Sequence, residues 1–204
     1  MFPTRLRLYN KAWVANRLEL NVSYFERLAE GQSPQALWIG CCDSRAPAEE
    51  ITGARPGELF VHRNIANLVR EDDPSFAGVL FYALEVLKVP HVIVCGHSNC
   101  GGVRGALDGH PEPCLTHWLG PIRSLLSPDE LKNPDKDSVC LELVKKNVRR
   151  AVDVLMEMGP VQSRWKQGTP LAIHGWVYHL DSGYLEALEE RRSVAAEQSV
   201  ANAL

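Results

Sequence analysis

Two short stretches carry the side chains best suited to chemistry, Cys41-Cys42-Asp43-Ser44-Arg45 and His97-Ser98-Asn99-Cys100. Two thiols, an imidazole and a neighbouring carboxylate are the donors zinc prefers: soft sulfur, one ring nitrogen, and a fourth position left open or contested by the acid. Either cysteine alone would more often be a buried thiol than a ligand. Their joint spacing with His97 and Asp43 reverses that balance. Arg45 stands two residues beyond Asp43, where a guanidinium fork can grip the carboxylate and keep it off a metal. A lysine there would lose the planar fork and favour the carboxylate on the metal.

Donors so far apart in sequence need strand ends to bring them together. Leu37-Trp38-Ile39-Gly40 leads into the first stretch and His91-Val92-Ile93-Val94-Cys95-Gly96 into the second. Apolar runs of this kind, ended by glycine, predict buried parallel strands. Loops leaving the carboxyl ends of such strands build the site of an open α/β sheet. Further strands are expected at residues 57–63 and 171–178, with a short edge strand at 184–188. The pattern predicts one or two helices over 6–29, a helical turn at 47–51 and a helix over 73–88. Gly101-Gly102 heads another helix, whose free N–H groups favour an anion. Residues 115–126 and 138–158 are expected to be helical, and 127–136 a surface connection. The tail from Glu189 is compatible with helix or fraying. The fold class is therefore α/β: a mainly parallel four-stranded sheet, a fifth strand at its edge, and helices on both faces. No repeat or linker divides the chain, so residues 1–204 form one domain, with a helical arm over 1–30 and a tail over 189–204.

Composition narrows the partners. A net charge of −3 without a basic run argues against nucleic acid. No apolar stretch approaches the ~20 residues of a membrane span, and Met1–Arg7 has a cationic start without an apolar core behind it, unlike a signal peptide. A cytoplasmic location is expected. There, six cysteines favour metal binding or buried thiols over disulfides. Two of them are expected to bind metal, with Cys95 in the core and Cys42 pointing away from Cys41. His62, His91, His110, His117, His174 and His179 lack ligand-like partners and are expected to be structural or exposed.

Cys41–Arg45, the run Pro-Gly-Glu-Leu-Phe-Val-His-Arg-Asn-Ile-Ala-Asn at 56–67, and His97-Ser98-Asn99-Cys100-Gly101-Gly102 together resemble the β-class carbonic anhydrases. The similarity covers residues 31–183. It implies one zinc ion bound by Cys41, His97 and Cys100, and an Asp43–Arg45 pair, with Asp43 a fourth ligand in a closed state. It implies reversible hydration of carbon dioxide to bicarbonate and a proton, by attack of zinc-bound hydroxide. Gln32, Phe60, Tyr82 and the Gly102 N–H match the family's substrate pocket. Trp38, Arg63 and Tyr178 match a trio that, in a bacterial subgroup, binds a non-catalytic bicarbonate and favours the inactive state. Family members are homodimers that pair into tetramers, which implies that the N-terminal helices pack on a partner subunit. The chain departs from the pattern at Cys42, where serine is usual, and at Ala46, often valine.

Two thiolates cancel the formal charge of a zinc dication, so bound water should be acidified less than at an all-histidine site. Activity rising toward alkaline pH follows. Two other functions fit the same residues: a hydrolase of CS2 or COS on this scaffold, and a zinc or thiol-redox regulator without turnover, built around Cys41-Cys42.

Overall fold

The computed structural model describes residues 1–193 and divides the chain into two compact units, Met1–Ser33 and a second beginning at Pro34. The first unit holds helices α1 (Phe2–Leu20) and α2 (Tyr24–Ala29). Asn21 separates them in an extended conformation, its side chain accepting from the Ser23 N–H. Trp13 meets Tyr24 and Phe25 edge-on, and the Arg17 guanidinium lies over Trp13 and Tyr24. No residue of either helix is buried.

The second unit is a five-stranded sheet in the order β2-β1-β3-β4-β5, where β1 is Ala36–Cys41, β2 Leu59–Asn64, β3 His91–His97, β4 Ala172–Tyr178 and β5 Leu185–Arg192. The first four strands are parallel, and β5 runs antiparallel to β4. Strands β1 and β3 are adjacent at the centre and buried along nearly their whole length, as uninterrupted apolar runs require. Their carboxyl ends therefore lie side by side. The expected fold class is the observed one.

Helices connect the strands: α3 (Ala48–Thr52), α4 (Pro74–Phe81), α5 (Gly101–Asp108), α6 (Pro113–Arg123), α7 (Pro128–Lys132), α8 (Lys136–Glu157) and α9 (Gly159–Lys166). The main core packs Leu37, Ile39, Val92, Val94 and Ile173 against Leu143, Val144, Val148, Val152 and Leu155 of α8 and Phe76 and Leu80 of α4. On the opposite face Trp38, Ile93 and Cys95 gather with Ala48 of α3, Trp176 and Tyr178. Gly96 lets α8 approach β3, since a Cβ there would lie 2.9 Å from methyls of both Val144 and Val148.

Several boundaries differ from the sequence reading. Asp73 caps α4 by accepting from Ser75 and Phe76 N–H, but the helix widens into a π turn at Tyr82–Val86. The connection at 127–136 contains α7, closed by a reciprocal capping box between Ser127 and Glu130, and α9 was not anticipated. Residues 189–192 extend the edge strand rather than forming helix. Open hydrogen-bonding groups along β4 override the helical preference of a Glu-rich segment, and Glu186 and Glu190 find His179, Lys145, His174 and Arg192 as partners. The rest of the tail, 194–204, lies outside the described residues.

Candidate metal centre and active site

The ends of β1 and β3 deliver three ligand atoms to one point. The sulfurs of Cys41 and Cys100 are 3.9 Å apart, and with a ring nitrogen of His97 they all lie within 4.8 Å of one another. All three residues are buried. His97 Nδ1 donates to the Ser98 carbonyl at 2.9 Å, which fixes the tautomer and leaves Nε2 as an acceptor. That Nε2 is buried without a hydrogen-bond partner. A buried acceptor left open beside two thiols fits a zinc ion, which takes a neutral imidazole and thiolates.

Asp43 and Arg45 sit at the rim. Asp43 Oδ1 accepts from the Arg45 backbone N–H at 2.9 Å and from Nε at 3.0 Å, and Oδ2 accepts from Nη2 at 2.7 Å. Arg45 Nη2 also donates to the Asn99 carbonyl at 3.2 Å, linking the two loops. The grip leaves Asp43 Oδ2 3.7 Å from His97 Nε2. Hydrogen bonds from Arg45 hold the Asp43 carboxyl well below the usual carboxylate range, so it is an acceptor at any physiological pH.

The two thiols form a hydrogen-bonded pair. Hydrogen bonding from Cys100 drives Cys41 toward the thiolate against the cost of burial, helped by His97 and by backbone N–H groups. Cys100 is raised by that same bond and by burial, while the N–H groups of Val103 and Gly102 oppose the rise. Burial disfavours the His97 imidazolium, but the Cys41 thiolate outweighs it and leaves the pKa raised. The cavity is thus poised for a cation. Cys95, by contrast, is pushed up to about 12 by burial and is an inert core thiol.

Arg63 donates from Nε to the Cys41 carbonyl at 2.8 Å and from Nη2 to the Asp43 carbonyl at 2.6 Å, so it braces the loop. Trp38 is buried, meets Trp176 edge-on at 6.2 Å and packs in one cluster with Tyr178. Its indole nitrogen covers Gly40, where a Cβ would approach to 2.6 Å. Tyr178 pairs in register with His97, and its carbonyl accepts from Ser98 N–H. Phe60 and Tyr82 stack at 5.8 Å. Gly102 opens α5 and has its N–H directed at the Cys100 sulfur. Gln32 belongs to the N-terminal unit and is exposed. Cys42 is exposed while Cys41 is buried, as opposite orientation requires, and Ala46 is buried.

The sequence reading missed the turn Ile65–Asn67, whose Ala66 N–H reaches Cys41 Sγ at 3.4 Å. It also passed over Asn147, whose signal was available: an amide inside the apolar stripe of α8.

A parallel sheet with a buried thiolate–imidazole centre at the ends of two adjacent strands, and an arginine-held aspartate beside it, defines the class. The carbonic anhydrase family model matches residues 36–185. The chain is 43% identical to a carbonic anhydrase of Emericella nidulans over 182 residues, 88% of this chain and 80% of the relative. It is 36% identical to one from Pseudomonas aeruginosa, covering 81% and 78%. Among solved structures it superposes on one of two tetrameric β-carbonic anhydrases of Sordaria macrospora with a TM-score of 0.86, at 36% identity and over 92% of this chain and 98% of that one. A β-carbonic anhydrase of Aspergillus fumigatus gives 0.88 at 33% identity, over 99% and 98%. The chain belongs to the carbonic anhydrase family, in its β class.

Proposed function

We propose that this enzyme hydrates carbon dioxide reversibly on one zinc ion held by Cys41, His97 and Cys100. The observation that carries the ligand set is the open, buried His97 Nε2 beside two thiols whose sulfurs are 3.9 Å apart. Zinc bound there supplies the Lewis acidity that makes water nucleophilic near neutral pH. Asp43 accepts a proton-bearing group beside the centre and orients it, and Arg45 keeps the carboxylate ionised and off the metal. The Phe60–Tyr82 stack, with Gly102, is assigned to the substrate pocket. The test is turnover of zinc-loaded protein on CO2, COS and CS2 in turn. Hydration of CO2 with little action on the sulfur analogues is expected; preference for COS or CS2 would overturn the substrate assignment, and no turnover on any would leave a zinc or thiol regulator.

Inhibition by bicarbonate at Trp38, Arg63 and Tyr178 is part of the proposal. Its support is that Arg63 braces the Cys41 and Asp43 carbonyls, so an anion that recruits the guanidinium would loosen the Asp43 loop. Such an anion regulates only if the inactive state binds it better. Trp38→Ala should weaken bicarbonate inhibition; full inhibition with an unchanged pH profile would refute it. We also infer a homodimer that pairs into a tetramer, with α1 and α2 on a partner subunit. The support is the tetrameric relative and the exposed Phe2, Leu6, Leu8, Tyr9 and Leu20. A cytoplasmic location is proposed on the free, exposed thiols of Cys42 and Cys114. No helix among the described residues is long and apolar enough to cross a membrane.

A further inference from the structure

Two donors outside the ligand set fix the backbone against which Cys41 rests. The peptide joining Ile65 to Ala66 gives its N–H to Cys41 Sγ at 3.4 Å, and its carbonyl accepts from Trp118 Nε1 at 2.9 Å. The carbonyl of the next peptide, at Ala66, accepts from Asn147 Nδ2, also at 2.9 Å. Both peptide planes flanking the Ala66 Cα are therefore pinned from outside the turn. They need pinning, because Ala66 has φ 65° and Asn67 φ 45°, and a left-handed conformation costs free energy at any residue with a Cβ. Left to itself, the turn would relax and rotate the Ala66 N–H off the sulfur. Helix α5 closes the remaining side, since a Cβ at Gly102 would lie 2.9 Å from Ile65 and 3.0 Å from Ala66.

Packing does not explain Asn147. The buried stripe of α8 includes Leu143, Val144, Val148 and Ala151, and Asn147 stands within it at 1% exposure. Its side-chain oxygen has no hydrogen-bond partner among the described residues. Burying an amide half-satisfied is unfavourable, which points to its one donated bond as the reason it is there.

We propose that Trp118 and Asn147 are positioning residues for the metal centre, holding Ala66 and Asn67 left-handed so that the Ala66 N–H stays on the Cys41 sulfur. An N–H on a thiolate draws electron density from it, so the thiolate donates less to the metal and the metal remains the stronger Lewis acid. The Trp118 bond polarises the same peptide whose N–H serves the sulfur, which strengthens that N–H as a donor. The inference rests on the zinc ligands proposed above.

Cobalt(II)-substituted protein tests it, because the energy of the sulfur-to-cobalt charge-transfer band reports electron density on the thiolates. Trp118→Phe keeps the ring and removes the donor at a half-buried position; Asn147→Leu removes the second donor. Trp165→Phe is the control, since Trp165 Nε1 donates to the Leu171 carbonyl at 3.0 Å, the same kind of bond away from the turn. The band is expected to move to lower energy in Trp118→Phe and Asn147→Leu and not in Trp165→Phe, with the midpoint of the hydration pH profile moving alkaline in the same two variants. A Trp118→Phe band coincident with wild type overturns the proposal, whether or not Asn147→Leu folds. Wild-type protein with no sulfur-to-cobalt band would instead refute the ligand set itself.

Discussion

Arg45 decides what Asp43 can do. Two hydrogen bonds from Arg45 to the Asp43 carboxylate use the fork of the guanidinium, beside a third from the backbone N–H, and lysine offers a single point charge in place of the fork. A charge-assisted bond made only in the transition state is worth roughly tenfold in rate. Arg45→Lys should therefore lower kcat/KM for CO2 hydration about tenfold, read by stopped-flow; activity within twofold of wild type would show that the pair serves structure alone. The pair was legible in the sequence because its members are two residues apart. Trp118 was not, since it reaches the turn from 53 positions away and nothing local marks it; Asn147, 81 positions away, left one sign, an amide inside an apolar helical stripe, which does not say which carbonyl it holds.

Strands and helices set how closely these residues can be brought together. Gly96 precedes His97 and lies under α8, and Gly96→Ala would drive a methyl into Val144 and Val148. Overpacking of this kind costs about 1–3 kcal/mol, so the variant should show a clearly lowered Tm; an unchanged Tm would mean that α8 yields without penalty. On the same helix, Lys146 of α8 holds Glu130 of the capped α7 down to about 2, with Ser127 assisting. A carboxyl whose folded pKa lies below its unfolded value stabilises above the unfolded value and loses that contribution as pH falls through the folded one. The window here runs from 4.5 down to about 2. The pair is solvent-exposed, so a few tenths of a kcal/mol are expected. The stability gap between wild type and Glu130→Gln in urea titrations should close across that window, and a constant gap would refute the linkage. Strands β1 and β3 could be read from apolar runs that stop at glycine. Residues 189–192 could not, because their strand exists through pairing with β4 and the composition favours helix.

For the whole molecule, the three proposed ligands come from the ends of β1 and β3 at the centre of the sheet, so the proposed metal would couple its binding to folding. A ligand present at about a thousand times its Kd adds about 4 kcal/mol to the stability of the state that binds it. Removing zinc with a chelator should lower Tm well beyond the effect of any single variant above, and restoring zinc should recover it; equal Tm values with and without metal would mean that the site is loose. The parallel sheet and the proposed ligand set were legible because their motifs each lie beside a strand, whereas the strand order is set by pairing across the sheet. Trp38, Arg63 and Tyr178 could be named from the resemblance, but the grip of Arg63 on the Cys41 and Asp43 carbonyls and the edge-on meeting of Trp38 with Trp176 appear only in the folded chain. The geometry is proposed to turn over CO2 through a metal held by two thiolates and one imidazole. Stopped-flow hydration on zinc-loaded protein, from mildly acidic to alkaline pH, tests it most directly. Activity that climbs with pH and disappears on chelation is the expected result; no turnover at any pH, with one zinc per chain confirmed, would contradict it.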